Sequence, residues 1–334
     1  MSDLSRYSEY LQQEPYTVPP QPGVKKSPRI WLNILLFLFT FLTTIQAGVA
    51  WLNRDPNDFS NFSLGLTYSV LILAFLTFHE FGHYFAARVH KVKVTLPYYI
   101  PFPFLFLNPF GTMGAVIRIK ERITSRKALF DIGIAGPVAG FVAATAMLIY
   151  GMTTLPPFEY IYNIHPEYQV TGVPTSGFSF GPNLLYWGLG KLLADSPNVF
   201  LPPMNEMYHY PFLCVGWFGL LVTALNLLPV GQLDGGHIIY ALFANKSKYI
   251  ARTFFGVILG MGLLGLLPFL GITTLAEYGL LNWLIWAAVI FFLIRIDHPP
   301  FYDPEPIGTS RMLWGGFALF MFISSFTPVP VTNL

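Results

Sequence analysis

The sequence predicts an all-α polytopic membrane protein of about seven transmembrane helices, with a small membrane-associated β element and a re-entrant segment. Three observations carry that expectation. Of 334 residues, 54% are hydrophobic and only 11% charged, and the mean hydropathy is +0.53. A soluble domain carries about 25% charged residues, so this chain lacks the polar surface to face water on all sides. Seven stretches approach the roughly 20 apolar residues that a span requires, and the basic residues fall in alternate links between them.

Residues 1–29 are polar, contain Pro15, Pro19, Pro20 and Pro22, and lack an apolar core or small-residue cleavage site. They read as a flexible cytoplasmic tail and not as a signal peptide. The spans follow at about 31–51, 64–90, 128–151, 210–230, 251–270, 279–296 and 311–328. Residues 30–245 are expected to form the transmembrane core and 246–334 a set of C-terminal helices. Of the 19 Lys and Arg residues, only Arg54 and Lys191 fall on one side of this arrangement. The positive-inside rule then gives a cytoplasmic N-terminus and an outer C-terminus.

Two connections stand apart. Residues 94–111 are apolar, yet Pro97, Pro101, Pro103 and Pro109 forbid a regular helix. A segment dipping into the cytoplasmic membrane face, shielded by protein, reconciles the two. Residues 152–209 form the long outer loop, whose Pro, Gly and aromatic content suggests a plug or cap. Cys214 is the one cysteine, which excludes an internal disulfide and a thiolate metal site. A net charge of +2 and a pI near 8.5 are too mild to predict a nucleic-acid partner.

The second span ends in His79-Glu80-Phe81-Gly82-His83. On a helix, residues i and i+4 share a face, so both imidazoles can bind one Zn²⁺ while Glu80 activates water as the base. Chance supplies roughly 0.004 such matches in a chain of this composition. Ionisable residues inside a span cost about 2.5–3.5 kcal/mol each, and are usually functional. The bland alternative is a pair of histidines packed between helices.

A catalytic zinc normally takes a third protein ligand. Two aspartates qualify. Asp131 opens the third span beside Arg126 and Lys127, where a helix N-terminus favours a carboxylate, and is read as structural. Asp234 lies where the fourth span breaks, in Asn226-Leu-Leu-Pro-Val-Gly-Gln-Leu-Asp234-Gly-Gly-His237, and its competing reading is a helix cap before Gly235. Orientation favours Asp234: spans two and four both run inward, which brings Asp234 to the depth of His79 and His83. His237 is read as a support or cap residue.

This pattern, HEFGH and later N-x-x-P-x-x-x-L-D-G, resembles the site-2 protease family of intramembrane zinc metalloproteases. Gly114–Lys120, Phe130–Gly140 and Ala224–Gly236 add to the likeness, which covers about residues 65–245 and is greatest with the branch without a PDZ domain that includes the ethylene-dependent gravitropism-deficient and yellow-green proteases. The resemblance implies that His79, His83 and Asp234 bind one Zn²⁺ per chain and that Glu80 is the catalytic base. It implies a substrate-positioning or oxyanion role for Asn226 and a membrane-associated β element near Met113–Ile119. Those residues alternate partly and are rich in β-branched side chains, so Gly114, Ala115, Val116 and Ile117 are expected to offer a strand edge to an extended substrate. An ordinary bracing hairpin is the competing reading. Glycines within Ile134–Gly140 are expected to let the third span pack closely against the catalytic helix.

The expected function is hydrolysis of peptide bonds within or near transmembrane segments of membrane-protein substrates, and the resemblance implies single-span proteins in the lipid bilayer as those substrates. The alternatives are a different membrane zinc endopeptidase, or a non-catalytic metal-binding scaffold or transporter. The charge pattern fits a bacterial plasma membrane.

Overall fold

Threonines and glycines set the first helix contact. In the computed structural model, which describes residues 30–174, 177–194, 199–272, 280–301 and 303–332, α1 (Ile30–Ala50) crosses α2 (Phe62–Val89) at Gly48 and Gly65. A Cβ on Gly65 would sit 2.2 Å from the Ile45 carbonyl oxygen. Alongside, the Thr44 and Ser69 hydroxyls are 2.6 Å apart. Small residues and interhelical hydrogen bonds are what hold helices together where lipid tails compete equally for apolar surface. The expected N-terminal tail lies outside the described residues.

The proline-rich connection forms a hairpin. β1 (Tyr98–Pro101) pairs antiparallel with β2 (Thr112–Val116), with a bulge between Tyr99 and Pro101. Between the strands the chain turns irregularly and leaves Phe104, Phe106 and Leu107 exposed at its tip. Asn33 near the start of α1 donates to the Pro97 carbonyl at 2.8 Å, which pins the hairpin to that end of the bundle.

α3 (Arg126–Thr153) starts where the Ser125 side chain accepts from the Ala128 amide, and it carries Pro137 in its interior. The ring removes one amide from the helical ladder, yet the helix continues because its neighbours hold it on several sides. It packs against α2, and against two helices that come later. Before them, the long loop forms α4 (Tyr160–Ile164), α5 (Tyr168–Thr171), β3 (Ser179–Phe180) and α6 (Leu184–Leu193). Then come α7 (Pro211–Asn226) and α8 (Asp234–Phe243), both against α3. α9 (Ser247–Leu264), α10 (Asn282–Val289, prolonged by a π-helical turn to Ile294) and α11 (Thr309–Ser325) complete the helices, and β4 (Val331–Thr332) pairs with β3.

Three helices, Ile30–Ala50, Phe59–Val89 (α2 with its leading 3-10 turn) and Arg126–Thr153, are long and apolar enough to cross a membrane. The expected fourth span stops at Asn226, because Leu227–Leu233 turns back before α8 begins. Gly231 occupies a positive φ of 53° in that turn. At 16 residues α7 is about 24 Å long, short of the roughly 30 Å hydrocarbon core. The remaining expected spans appear as the shorter helices α9, α10 and α11. The molecule is therefore mainly helical and membrane-embedded, with three span-length helices among the described residues.

Two polar joints draw the C-terminal region onto the core. Asp131 receives two hydrogen bonds from Arg311, at 2.8 and 2.6 Å, and lies 2.8 Å from Nε2 of His90. Asp131 is the sixth residue of α3, past its first turn, so the expected helix N-terminus does not account for it; Arg311 and His90 do. Arg126 donates through Nε to the Ala241 carbonyl at 2.8 Å, satisfying an orphan acceptor at the end of α8.

The 152–209 loop packs over the other end of the bundle. Trp51, Phe178, Phe180 and Tyr208 form a ring cluster there, and Trp217 donates to the Gly181 carbonyl at 2.8 Å.

Candidate metal centre

α2 carries His79 and His83 ten and six residues before its last residue, about 15 and 9 Å from that end. Both rings and Glu80 are buried. The two Nε2 atoms are 3.2 Å apart. Asp234, the first residue of α8, directs Oδ2 to 3.3 Å from His83 Nε2 and 3.5 Å from His79 Nε2. A carboxylate at the start of a helix gains from the unpaired amides and the dipole there. The turn that delivers Asp234 leaves no room for side chains: a Cβ on Gly235 would lie 2.1 Å from the Leu227 carbonyl oxygen.

The proton positions make these atoms a cation site. Nδ1 of His83 lies 2.7 Å from the Ile132 carbonyl oxygen, an acceptor only, so Nδ1 carries the proton and Nε2 presents its lone pair. Two imidazole nitrogens and a carboxylate oxygen thus converge on one point. Metal–ligand bonds of about 2.0–2.1 Å arranged tetrahedrally put ligand atoms about 3.4 Å apart. The observed separations of 3.2, 3.3 and 3.5 Å fit zinc.

The glycines of α3 shape this centre. A Cβ on Gly136 would lie 2.0 Å from Nε2 of His83, and one on Gly140 would lie 3.0 Å from Nδ1 of His79. The close packing read from the sequence at 134–140 is therefore packing against the imidazoles themselves. Asn226, at the end of α7, places Nδ2 3.3 Å from Nε2 of His79. The Ile117 backbone amide lies beside the Glu80 carboxyl. Just past the end of β2, Arg118 and Lys120 bond across to Thr95 and Lys93, while the Ile117 amide between β2 and these contacts faces Glu80 instead. Among the described residues the second edge of β2 has no strand partner.

Residues 67–269 match the sequence profile of Peptidase family M50, more than half of the chain. The chain belongs to peptidase family M50. Among its relatives, "Probable zinc metalloprotease EGY1, chloroplastic" of Arabidopsis thaliana is 27% identical over 97% of this chain and 61% of the relative. "Probable zinc metalloprotease EGY2, chloroplastic" of Oryza sativa subsp. japonica is 29% identical over 94% of this chain and 54% of its own length. "Probable zinc metallopeptidase EGY3, chloroplastic" of Arabidopsis thaliana is 25% identical over 73% of this chain and 39% of its own. The chain spans about half the length of the curated relatives it matches. The M50 family bears out the resemblance drawn from the motifs. The chloroplastic names of the plant relatives run against the bacterial plasma membrane expected from charge alone.

Two neighbours of the centre, His298 and the Ile132 carbonyl, had no sequence signal. His237 shares α8 with Asp234, and its Nδ1 lies 2.9 Å from Nε2 of His298, whose ring stacks on Tyr240 at 4.3 Å. The support role read for His237 thus acquires a partner 61 positions away. The Ile132 carbonyl that fixes the His83 tautomer is equally invisible, because a backbone acceptor leaves no trace in residue type.

Proposed function

We propose that this chain is an intramembrane zinc metalloprotease that hydrolyses peptide bonds within or near transmembrane segments of membrane proteins. The observation that carries the reading is the convergence of His79, His83 and Asp234 beside Glu80, within an M50 chain. The three ligands would hold one Zn²⁺ in this centre. Zinc, when bound, supplies Lewis acidity that acidifies a water and polarises the scissile carbonyl.

The protein's own groups do the rest. Glu80 takes a proton from the attacking water and returns it to the leaving amine. Ile132 holds His83 in the tautomer that presents Nε2. The Asn226 amide, close to His79, positions the substrate carbonyl or donates to the oxygen on which charge develops. A transmembrane helix hides its amides and must unwind before it can be cut. The free edge of Gly114, Ala115, Val116 and Ile117 offers hydrogen-bonding groups to the extended chain next to Glu80.

The same reading includes seven crossings, with the shorter helices spanning a locally thinned or tilted section, and a cytoplasmic N-terminus. The centre then opens toward the side that carries the basic links, and single-span proteins are the natural substrates. Residues 30–245 form the catalytic unit and 246–334 a C-terminal helical part docked on it.

The test compares membranes of cells expressing the wild type or Glu80→Gln, by sequencing new protein termini. New termini within or next to spans of membrane proteins should arise with the wild type alone, while both purified proteins keep equal zinc. Identical termini in both would remove Glu80, and with it this mechanism.

A further inference from the structure

We propose that His165, Glu206 and His209 form a second divalent-metal site, of zinc type, at the opposite end of the bundle from the first. Glu206 and His209 are separated by i,i+3 spacing, and the 3-10 turn Met207–His209 brings such positions onto one side. Their side chains are only 2% exposed each. His165 follows α4 and reaches across so that its Nε2 lies 3.1 Å from Nε2 of His209.

Hydrogen bonding settles which atoms are bare. Nδ1 of His209 faces the Trp51 carbonyl oxygen, an acceptor only. Nδ1 of His165 lies 2.9 Å from the Glu167 carboxylate. Both protons therefore sit on Nδ1, and both Nε2 atoms point lone pairs at each other. Glu206 accepts from the Tyr168 hydroxyl through Oε1 at 3.0 Å. Its Oε2 is buried, receives no hydrogen bond, and lies 3.2 Å from His209 Nε2.

Three electron-pair donors thus meet without a hydrogen between them, in a setting where an uncompensated carboxylate is costly. A cation removes that conflict. The pattern repeats the first centre: two Nε2 atoms, one carboxylate oxygen, and a histidine oriented from behind by a backbone carbonyl. The separations of 3.1 and 3.2 Å match the edges of a tetrahedral zinc site. Two imidazoles and one carboxylate suit zinc over hard cations that prefer all-oxygen shells. Bound there, the ion fastens the loop segment around His165 to the entrance of α7 and, through Trp51, to the end of α1.

The experiment measures zinc per chain in the full-length detergent-solubilised protein after dialysis against a nanomolar zinc buffer. The wild type should hold about two zinc ions, Asp234→Ala about one, His165→Asn about one, and the double variant close to none. His165 lies at the more accessible rim of the cluster, and a circular-dichroism spectrum identical to wild type establishes that its variant is folded. Should that variant fail to fold, Asp234→Ala alone decides: one retained ion supports the second site, and none overturns it. Two ions in both wild type and folded His165→Asn also overturn it, as does a single ion in the wild type. A wild type with two ions of which Asp234→Ala loses neither, while His165→Asn loses one, would leave this site standing and remove the first. A proton shared between His165 and His209, in place of the metal, would appear as one zinc ion in the wild type.

Discussion

Gly136 faces the His83 ring so closely that a methyl group there would meet Nε2 at 2.0 Å. Gly136→Ala is therefore expected to push the imidazole off its Ile132 acceptor and to abolish zinc binding at the first centre, while Gly140→Ala, with 3.0 Å to His79 Nδ1, should weaken it less. Metal analysis of the two variants checks the order; equal retention would mean that the ring can move aside freely. At the same scale, Glu80→Gln is expected to lower cleavage by at least ~10²-fold, the usual size of a lost general base, with zinc content unchanged. Residue identity made these positions partly legible. The spacing of His79 and His83 announces its chemistry, and Asp234 follows from orientation, but the glycine contacts depend on which face of α3 meets α2. Hydropathy, nearly uniform along this helix, does not reveal that face; the glycines at 134–140 pointed to it, but not to their contact with the imidazoles themselves.

At the scale of elements, the hairpin β1–β2 decides between substrate pairing and bracing. Proline at Ile117 removes the amide beside Glu80 but touches no bond to β1, whereas proline at Arg118 removes the amide that bonds to the Thr95 hydroxyl at 2.9 Å. If the free edge receives substrate, Ile117→Pro should cut cleavage strongly with zinc and thermal stability retained, and Arg118→Pro should cost stability. Similar losses in every measurement for both would favour bracing. The proline-dense segment 94–111 was expected as a re-entrant stretch and instead contributes the strand Tyr98–Pro101, while the β-branched run after it announced a strand. Their pairing register was not legible, because it depends on the bulge at Tyr99 and Pro101.

At the scale of the whole molecule, distant parts are joined through few charges. Arg311 on α11 reaches Asp131 on α3 with a two-pronged hydrogen bond. Arg311→Met should destabilise the protein by about 1.5–3 kcal/mol, the range for hydrogen bonds to charged groups, read as a lower thermal midpoint in detergent. Asp131→Asn with Arg311→Met should cost less than the sum of the separate changes; strict additivity would show that the pair contributes nothing to docking. Topology is open to a direct measurement because Cys214 is the one native cysteine. In a Cys214→Ala background, single cysteines at Lys120 and Lys191 should react with a membrane-impermeant reagent from opposite sides. That asymmetry is what the charge pattern in the sequence leads one to expect. Pro229 and Gly231 mark the break in the fourth span, but residue type did not show that α7 would already stop at Asn226 and so be too short to follow the simplest path.

The pairing of Ser179 and Phe180 with Thr332 and Val331 has a temporal side. The strand partner of the 152–209 cap is supplied by residues near position 330, so the cap waits for a segment that leaves the ribosome long after it. Until then Phe180 lacks its strand partner Val331 and the Gly181 amide lacks the Pro330 carbonyl. The order of synthesis is thereby built into this contact: a nascent chain arrested between α11 and β4 would carry β3 without its partner strand.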